Sequence, residues 1–145
     1  PERAARAETL GFDAVFATGQ EAEGAIKELT DGQGVDAVIP CCAAADAMNL
    51  ALRVLKKQGR FGHFSGIIPD GATQPEINTI HYKEQIMTGA YGCSIAHSRR
   101  AKALLENGSL IVKDLITERI PLEELRHGLE RVRQLETLST IVVFD

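Results

Sequence analysis

The sequence predicts an α/β protein built around a parallel sheet, and three observations support this prediction. Short strand-like segments alternate with amphipathic segments of about ten residues, as in strands that are joined by crossover helices. The run VDAVIPCC at 35–42 is apolar with little alternation, which is typical of a strand buried on both faces. Small residues follow three of the predicted strands, at the positions where parallel sheets of this class bind ligands.

The first part of the chain alternates helix-forming and strand-prone segments. Gly11 fits the end of the first helix, and the turn DGQG at 31–34 separates the second helix from the second strand. Pro40 donates no hydrogen bond to a sheet, so we place it near the end of its strand. The predicted elements are helix 2–9, strand 13–16, helix 21–30, strand 35–42 and helix 46–57.

The second part continues this alternation after a loop predicted over 68–76. The predicted elements are strand 59–67, a short helix over INTIHYKE, strand 85–92, helix 97–107, strand 115–120, a helix starting at Pro121 and strand 140–144. We expect Ala101, Leu104 and Leu105 to face inward from the helix at 97–107. The last helix carries an apolar stripe of Leu122, Leu125, Leu129 and Val132. The strands after about residue 114 are too short to extend the main sheet comfortably.

Composition excludes several classes of partner. The chain has 145 residues, 44% of them hydrophobic, and a net charge of −4 with acidic and basic residues interspersed. A nucleic-acid surface needs a basic patch, which this pattern lacks. No apolar run approaches the roughly 20 residues that cross a bilayer, and no secretory signal is visible. We therefore expect neither a nucleic-acid nor a membrane partner.

The three cysteines, Cys41, Cys42 and Cys93, do not suggest a disulfide framework. Neighbouring residues on a strand point to opposite faces, so Cys41 and Cys42 are not expected to share a partner. Their odd number and adjacent placement favour a reducing, cytoplasmic location. No CxxC is present, so structural zinc bound by this chain alone is not expected.

The candidate ligand site consists of small residues after three predicted strands: 42–45, 65–67 and 89–92. Small residues let a flat ligand approach the backbone, and Gly66 is the best single candidate because it directly follows an apolar strand. The same residues are equally typical of ordinary turns, and the pattern leaves both interpretations open. The dinucleotide fingerprint GxGxxG is absent, and GRFGHFSG has the wrong spacing.

Titratable residues form no catalytic constellation. His63, His81, His97 and His127 are scattered and lack a Ser, Cys or Asp at motif spacing. Lys83 and Glu84 are interpreted as a solvated helix end rather than an acid–base pair. Tyr82 and Tyr91 are interpreted as packing residues. The sequence thus predicts a ligand-binding scaffold with no catalytic or metal-ligating residue of its own.

Six segments in a fixed order carry a resemblance to a known family. They are GFDAVF, GVDAVIPCC, ALRVLKKQGRFGHFSG, HYKEQIMTGAYGCS, the LLENGSL region, and LITERIPLEELRHGLERV with the final TIVVF. Together they resemble the C-terminal half of zinc-type medium-chain alcohol dehydrogenases, a family of oxidoreductases. Within that family they are most similar to the polyol branch of sorbitol, galactitol-phosphate and threonine dehydrogenases.

The resemblance implies a partial Rossmann-type, doubly wound parallel sheet over residues 1–113 and a C-terminal segment over 114–145 that returns to a catalytic domain. The first two strands and the glycine-rich loop would precede this chain, which is then a fragment that is inactive by itself. The parent enzyme would pass hydride from a secondary alcohol to NAD⁺ or NADP⁺, so its cofactor would be NAD(H) or NADP(H). A catalytic zinc ion, held by the missing part of the enzyme, would act as a Lewis acid. Pairing of the edge strand near 89–92 would give a homo-oligomer, a dimer or tetramer.

The resemblance also assigns cofactor-binding residues. It places the backbone of 41–43 near the cofactor, 65–67 beside the nicotinamide, 89–91 at the carboxamide and Arg3 near the adenine ribose. By number these are Arg3, Cys41, Cys42, Ala43, Ser65, Gly66, Ile67, Gly89, Ala90 and Tyr91.

Two departures from the family pattern keep alternatives open. Pro40 stands where an acidic residue is usual, and Ala43 stands in place of a common glycine. The Cβ of Ala43 would crowd the cofactor if that position required a positive φ. A non-catalytic nucleotide-binding module with a decayed site is therefore one alternative. A zinc-free quinone or enoyl reductase of the same superfamily is the other.

Overall fold

The computed structural model describes residues 2–16, 19–67, 76–110 and 112–144, so most of the predicted loop at 68–76 lies outside the described residues. The chain divides into two compact units, Pro1–Tyr91 and Gly92–Asp145. The elements of the first unit are α1 (Glu2–Glu8), α2 (Gln20–Leu29), β1 (Val35–Val38), α3 (Ala45–Val54), β2 (Leu55–His63), α4 (Ile77–Tyr82) and β3 (Ile86–Gly89). The domain boundary expected after residue 113 stays a prediction.

The first unit confirms the predicted parallel sheet. Its three strands lie in the order β1-β2-β3, and both neighbouring pairs are parallel. Phe61 in the central strand lies opposite Val38 on one side and Met87 on the other. Because all three strands run the same way, their carboxyl ends meet at one edge of the sheet.

The core of this unit lies between α3 and the face of the sheet that carries Phe61. The spacing of apolar residues on α3 places them on one stripe, as the periodicity predicts. Leu52 and Leu55 are fully buried, and Phe61 is 1% exposed. The buried cluster consists of Met48, Ala51, Leu52, Leu55 and Phe61. Ile67, just beyond β2, packs against the cluster and so anchors the segment that follows the central strand.

Several strand predictions are wrong: the strand at 13–16 is absent, those at 35–42 and 59–67 have other bounds, and those predicted over 85–92 and 115–120 cover Ile86–Gly89 and Glu118–Pro121. Residues 13–16 form no strand, because a strand needs a partner for its backbone hydrogen bonds and the described residues provide none. β1 ends at Val38 instead of residue 42, and its two middle residues are exposed, so it is not buried on both faces. β2 covers Leu55–His63 rather than 59–67, because the helix before it ends at Val54.

An irregular stretch explains the early start of β2. Leu55 pairs with Val35, and the next partners along the strands are Arg60 and Ala37. Between these two pairs, β1 advances by two residues while β2 advances by five. The extra residues of β2 therefore bulge out of the hydrogen-bond ladder. Gln58 in this bulge has a φ of 59° and donates its backbone N–H to the carbonyl of Lys83 at 2.8 Å.

The second unit contains α5 (Ile95–Glu106), β4 (Glu118–Pro121), α6 (Leu125–Arg133) and β5 (Thr140–Val143), with short 3₁₀ turns at Lys113–Leu115 and Leu122–Glu124. β4 and β5 form a separate two-stranded parallel sheet. The helix packs closely on β4, since a Cβ added to Gly128 would lie 2.3 Å from Cδ1 of Ile120. Arg131 pairs with Glu118 at 2.5 Å and reinforces this packing.

The apolar stripes of the second unit differ from expectation. Leu104 and Leu105 are 38% and 45% exposed, and Ala101 is exposed as well, so the expectation that they face inward is wrong within the described part of the chain. The residues Leu122, Leu125, Leu129 and Val132 also remain exposed. The buried side of α6 is instead the side of Gly128, whose missing side chain lets the helix approach β4.

Candidate functional site

The three small-residue segments follow neighbouring strands of one sheet. Residues 41–43 come after β1, residues 65–67 come after β2, and Ala90 directly follows β3. The backbone N–H of Ala90 donates to the carbonyl of His63 at 3.1 Å, which joins the ends of β2 and β3. We call these segments the strand tips: 41–43, 65–67 and 89–91. They lie at the carboxyl edge of the sheet, where ligands of open α/β sheets bind.

The strand tips leave room above their glycines. A Cβ added to Gly66 or to Gly89 would meet no atom within 4 Å, and neither glycine has a positive φ. Their lack of a side chain is therefore not needed for the turn itself, nor for packing within the described residues. This open space permits a flat ligand to lie against the backbone at the two tips.

The tip of β1 shows no strain at the two unusual positions. Among the described residues, the non-glycine positions with positive φ are Asp31, Gln58, Glu84 and Leu135, and Ala43 is not one of them. Pro40 lies beyond the end of β1, where no ladder hydrogen bond is needed. The conformational argument for a decayed site therefore does not apply to Ala43.

A crevice of about 630 Å³ opens beside the β1 tip. Its lining includes Cys42, Ala44 and Asp46 at the start of α3, together with Asn49 and Glu76. Asn49 is buried, and its side-chain oxygen accepts the backbone N–H of Glu76 at 3.0 Å. The tips of β2 and β3 do not line this crevice, so the described residues offer a shared edge rather than one enclosed cavity.

Two predicted site residues lie apart from this pattern. Tyr91 is fully exposed at the end of the first unit, which contradicts its interpretation as a packing residue within the described chain. Arg3 is exposed on α1 and does not belong to a strand tip. Its assignment to the adenine ribose therefore depends on the resemblance alone.

Lys83 and Gln85 hold β3 against the end of α3, a role that the sequence analysis missed. The Lys83 ammonium group donates to the carbonyls of Arg53 at 2.8 Å and Leu55 at 3.1 Å. The buried amide of Gln85 donates to the carbonyls of Leu52 at 3.2 Å and Leu55 at 3.0 Å. These bonds satisfy carbonyls at a helix end that have no partner within the helix. They fix where β3 begins and thereby help to place its tip.

The environment of Lys83 differs from that of a solvated helix end. Burial lowers the pKa of Lys83, and the nearby charge of Lys27 lowers it further. Glu84 lies in a different environment, because its pKa is lowered mainly by a hydrogen bond from Gln58 and then by one from Lys57. The two neighbours have separate partners, so they do not form an acid–base pair. No local pattern signals this role, because the carbonyls that Lys83 binds lie about 30 residues away in sequence.

The described residues do not offer a metal site. No group of three His, Cys, Asp or Glu side chains in the described ranges is placed to hold a metal ion. In the same ranges, no helix combines the length and the apolar character needed to span a bilayer.

Solved structures share this fold over nearly the whole chain. An alcohol dehydrogenase from Thermotoga maritima superposes with a TM-score of 0.87 at 22% identity, over 98% of this chain and 40% of that one. An alcohol dehydrogenase from Thermus sp. ATN1 gives 0.86 at 23% identity, over 100% and 42%.

Curated relatives match the sequence over a similar span. D-arabitol-phosphate dehydrogenase of Enterococcus avium is 30% identical over 145 residues, which cover 97% of this chain and 40% of the relative. Sorbitol dehydrogenase of Halalkalibacterium halodurans is 24% identical, over 97% of this chain and 41% of the relative. The chain thus spans about two fifths of the length of these relatives. The family profile described as zinc-binding dehydrogenase matches residues 1–107. The chain belongs to the zinc-binding dehydrogenase family.

Proposed function

We propose that the chain is the cofactor-binding part of a zinc-dependent alcohol or polyol dehydrogenase, which transfers hydride from a secondary alcohol to NAD(P)⁺. The observation that carries the proposal is the meeting of three small-residue strand tips at one sheet edge, with open space over Gly66 and Gly89. Membership in the family supports the reaction class. The chain by itself is expected to be inactive, and this expectation agrees with the lack of any cluster of three or more metal-ligating side chains among its described residues.

Each strand tip has a proposed task in binding the cofactor. Residues 41–43 border the cofactor beside the crevice, residues 65–67 pass the nicotinamide, and the backbone of 89–91 binds its carboxamide. Arg3 is proposed for the adenine-ribose end. When bound, the nicotinamide would accept the hydride, while the strand tips would orient the ring. The packing of Ile67 on the core supports this task, because it holds the central tip in a fixed position.

The substrate class is proposed from the names of the curated relatives. They are called D-arabitol-phosphate, sorbitol, erythritol/L-threitol and L-threonine 3-dehydrogenase. The compounds in these names all carry a secondary hydroxyl group, so we propose a polyol or a similar compound for the parent enzyme. A cytoplasmic location is proposed because all three cysteines are free thiols.

A homo-oligomer is proposed from the position of β3. This strand is the edge of its sheet in the described chain, and all four of its residues are exposed. An exposed edge strand presents unpaired backbone groups that can pair with a second copy. Light scattering on the parent protein should give a dimer or tetramer, and a monomer would contradict the proposal.

The test is turnover by the parent protein with NAD⁺ or NADP⁺ and a panel of polyols, followed through absorbance of the reduced nicotinamide. We expect alcohol-dependent reduction that a zinc chelator abolishes and added zinc restores. Turnover of quinones or enoyl compounds that survives the chelator would instead identify the zinc-free reductase. Absence of both reactions, with or without cofactor binding, would overturn the proposed activity.

A further inference from the structure

We propose that Cys41 and Cys42 form a reversible redox site, in which a low-molecular-weight disulfide oxidises both thiols to a disulfide between these adjacent residues. All three cysteines of the chain are free and exposed, so the two thiols are accessible to such a reagent. Cys93 belongs to the second unit and serves as an internal reference.

The end of β1 makes this pairing sterically available. Had the strand reached residue 42, alternation would have pointed the two side chains to opposite faces. The strand ends at Val38, and α3 begins at Ala45, so both cysteines lie in the connecting turn. Cys42 lies in a bend, and the Cys41 thiol donates to the carbonyl of Ile39 at 3.5 Å. No ladder hydrogen bond therefore fixes the orientation of either side chain.

Covalent geometry makes such a disulfide strained and therefore easy to reduce. Adjacent Cα atoms lie about 3.8 Å apart across a trans peptide. Ordinary disulfides join Cα atoms about 4.4–6.8 Å apart, so this bond needs a distorted backbone. Strained and exposed disulfides are the labile ones that serve in regulation rather than in structural support. The pair should therefore stay reduced under reducing conditions and respond to oxidants reversibly.

The oxidation proceeds by two thiol–disulfide exchanges that balance. The thiolate of one cysteine attacks one sulfur of oxidised glutathione, forms a mixed disulfide and releases one glutathione thiolate. The thiolate of the other cysteine then attacks the protein sulfur of this mixed disulfide and releases the second glutathione thiolate. The two protons lost by the cysteines are taken up by the two glutathione products. The cysteines are oxidised by two electrons, and oxidised glutathione is reduced to two thiols.

Oxidation would reshape one wall of the candidate cofactor site. Cys42 lines the crevice beside α3, and Ala43 follows it in the same tip. Contraction of the turn around a small ring displaces both residues. This consequence rests on the proposed function, and it predicts weaker cofactor binding by the oxidised parent protein.

The first experiment counts thiols in the chain before and after treatment with oxidised glutathione. Peptide mass spectrometry should show the segment that holds Cys41 and Cys42 lighter by two hydrogens and free of glutathione. The equally exposed Cys93, which has no adjacent thiol, should carry at most a mixed disulfide with glutathione. Dithiothreitol should restore all thiols. Stable glutathione adducts on both cysteines, cross-linked chains or unreacted thiols would overturn the proposal.

Two variants distinguish disulfide formation between Cys41 and Cys42 from the general reactivity of exposed thiols. Cys93→Ser should still lose both remaining thiols, whereas Cys41→Ser should stop at the mixed disulfide on Cys42. A Cys41→Ser variant that carries no glutathione on Cys42 would contradict exchange through a mixed disulfide. The wild-type mass measurement decides the main point even if a variant fails to fold. In the parent protein, loss of cofactor affinity on oxidation would support the coupling, and unchanged affinity would overturn it. No cofactor binding in the reduced state would instead refute the proposed function.

Discussion

Replacing Phe61 by alanine should destabilise the first unit strongly. Phe61 lies in the centre of β2, is 1% exposed and packs in the buried cluster with Leu52 and Leu55. A buried phenylalanine removes roughly 200 Å² from water, which at about 25 cal/mol per Å² contributes about 5 kcal/mol. Alanine retains part of this area and leaves a cavity, so we expect a loss of about 3–5 kcal/mol in the free energy of unfolding.

Phe64→Ala is the matched control for this prediction. Phe64 lies three residues further along the chain and is 63% exposed, so its removal should change the free energy of unfolding by only about 0.5 kcal/mol. Urea unfolding followed by circular dichroism measures both variants, with equal slopes indicating a comparable transition. A loss below about 1 kcal/mol for Phe61→Ala, or equal losses for the two variants, would refute the placement of the core.

Two further predictions concern stability. Gly34→Ala should lower the free energy of unfolding more than Gly32→Ala does. Both glycines have a positive φ, which costs about 1 kcal/mol for alanine. Only at Gly34 would the Cβ also meet a backbone atom, because it would lie 2.3 Å from the Val54 carbonyl oxygen. The clash should add about 1–3 kcal/mol in urea unfolding, and equal costs would contradict the close approach. Glu23→Gln should make the free energy of unfolding depend less on pH in the acidic range. The hydrogen bond from Lys27 is the largest cause that lowers the pKa of Glu23, so its contribution is full above about pH 4.5 and is lost as the pH falls through the lowered value. An unchanged difference between wild type and variant from pH 7 to about pH 3 would refute this assignment.

Helices were predictable from sequence because their signal is local. The apolar spacing of α3 and the turn after α2 depend on residues within one or two helical turns of each other. The turn appears where the pattern places it, whereas the helix predicted over 46–57 covers Ala45–Val54, because residues 55–57 belong to β2. The extent of strands was less predictable, because a strand exists only where a partner pairs with it. Residues 13–16 have the composition of a strand and no partner among the described residues, whereas β2 begins earlier than expected because Leu55 meets Val35.

The meeting of the strand tips at one sheet edge was predictable, whereas the contacts around them were not. Small residues after apolar runs identify strand ends, and the parallel order of β1, β2 and β3 brings those ends to one edge. The roles of Lys83 and Gln85 could not be predicted, since their partners are backbone carbonyls that any residue supplies. Cys41 and Cys42 lie outside the strand because β1 stops pairing with β2 after Val38. The run VDAVIPCC stays apolar to its end and therefore gives no signal for this stop.

Cofactor affinity of Gly66→Val in the parent protein tests the central claim most directly. A Cβ at Gly66 would meet no described atom within 4 Å over the strand tip, and a Cβ at Gly24 on α2 would likewise meet none. Calorimetric titration should show that wild type and Gly24→Val bind NAD⁺ or NADP⁺ alike, while Gly66→Val binds at least about ten-fold more weakly, a difference of about 1.4 kcal/mol. Equal affinity in both variants, or no binding of either cofactor by the wild type, would contradict the assignment of these strand tips to the nicotinamide.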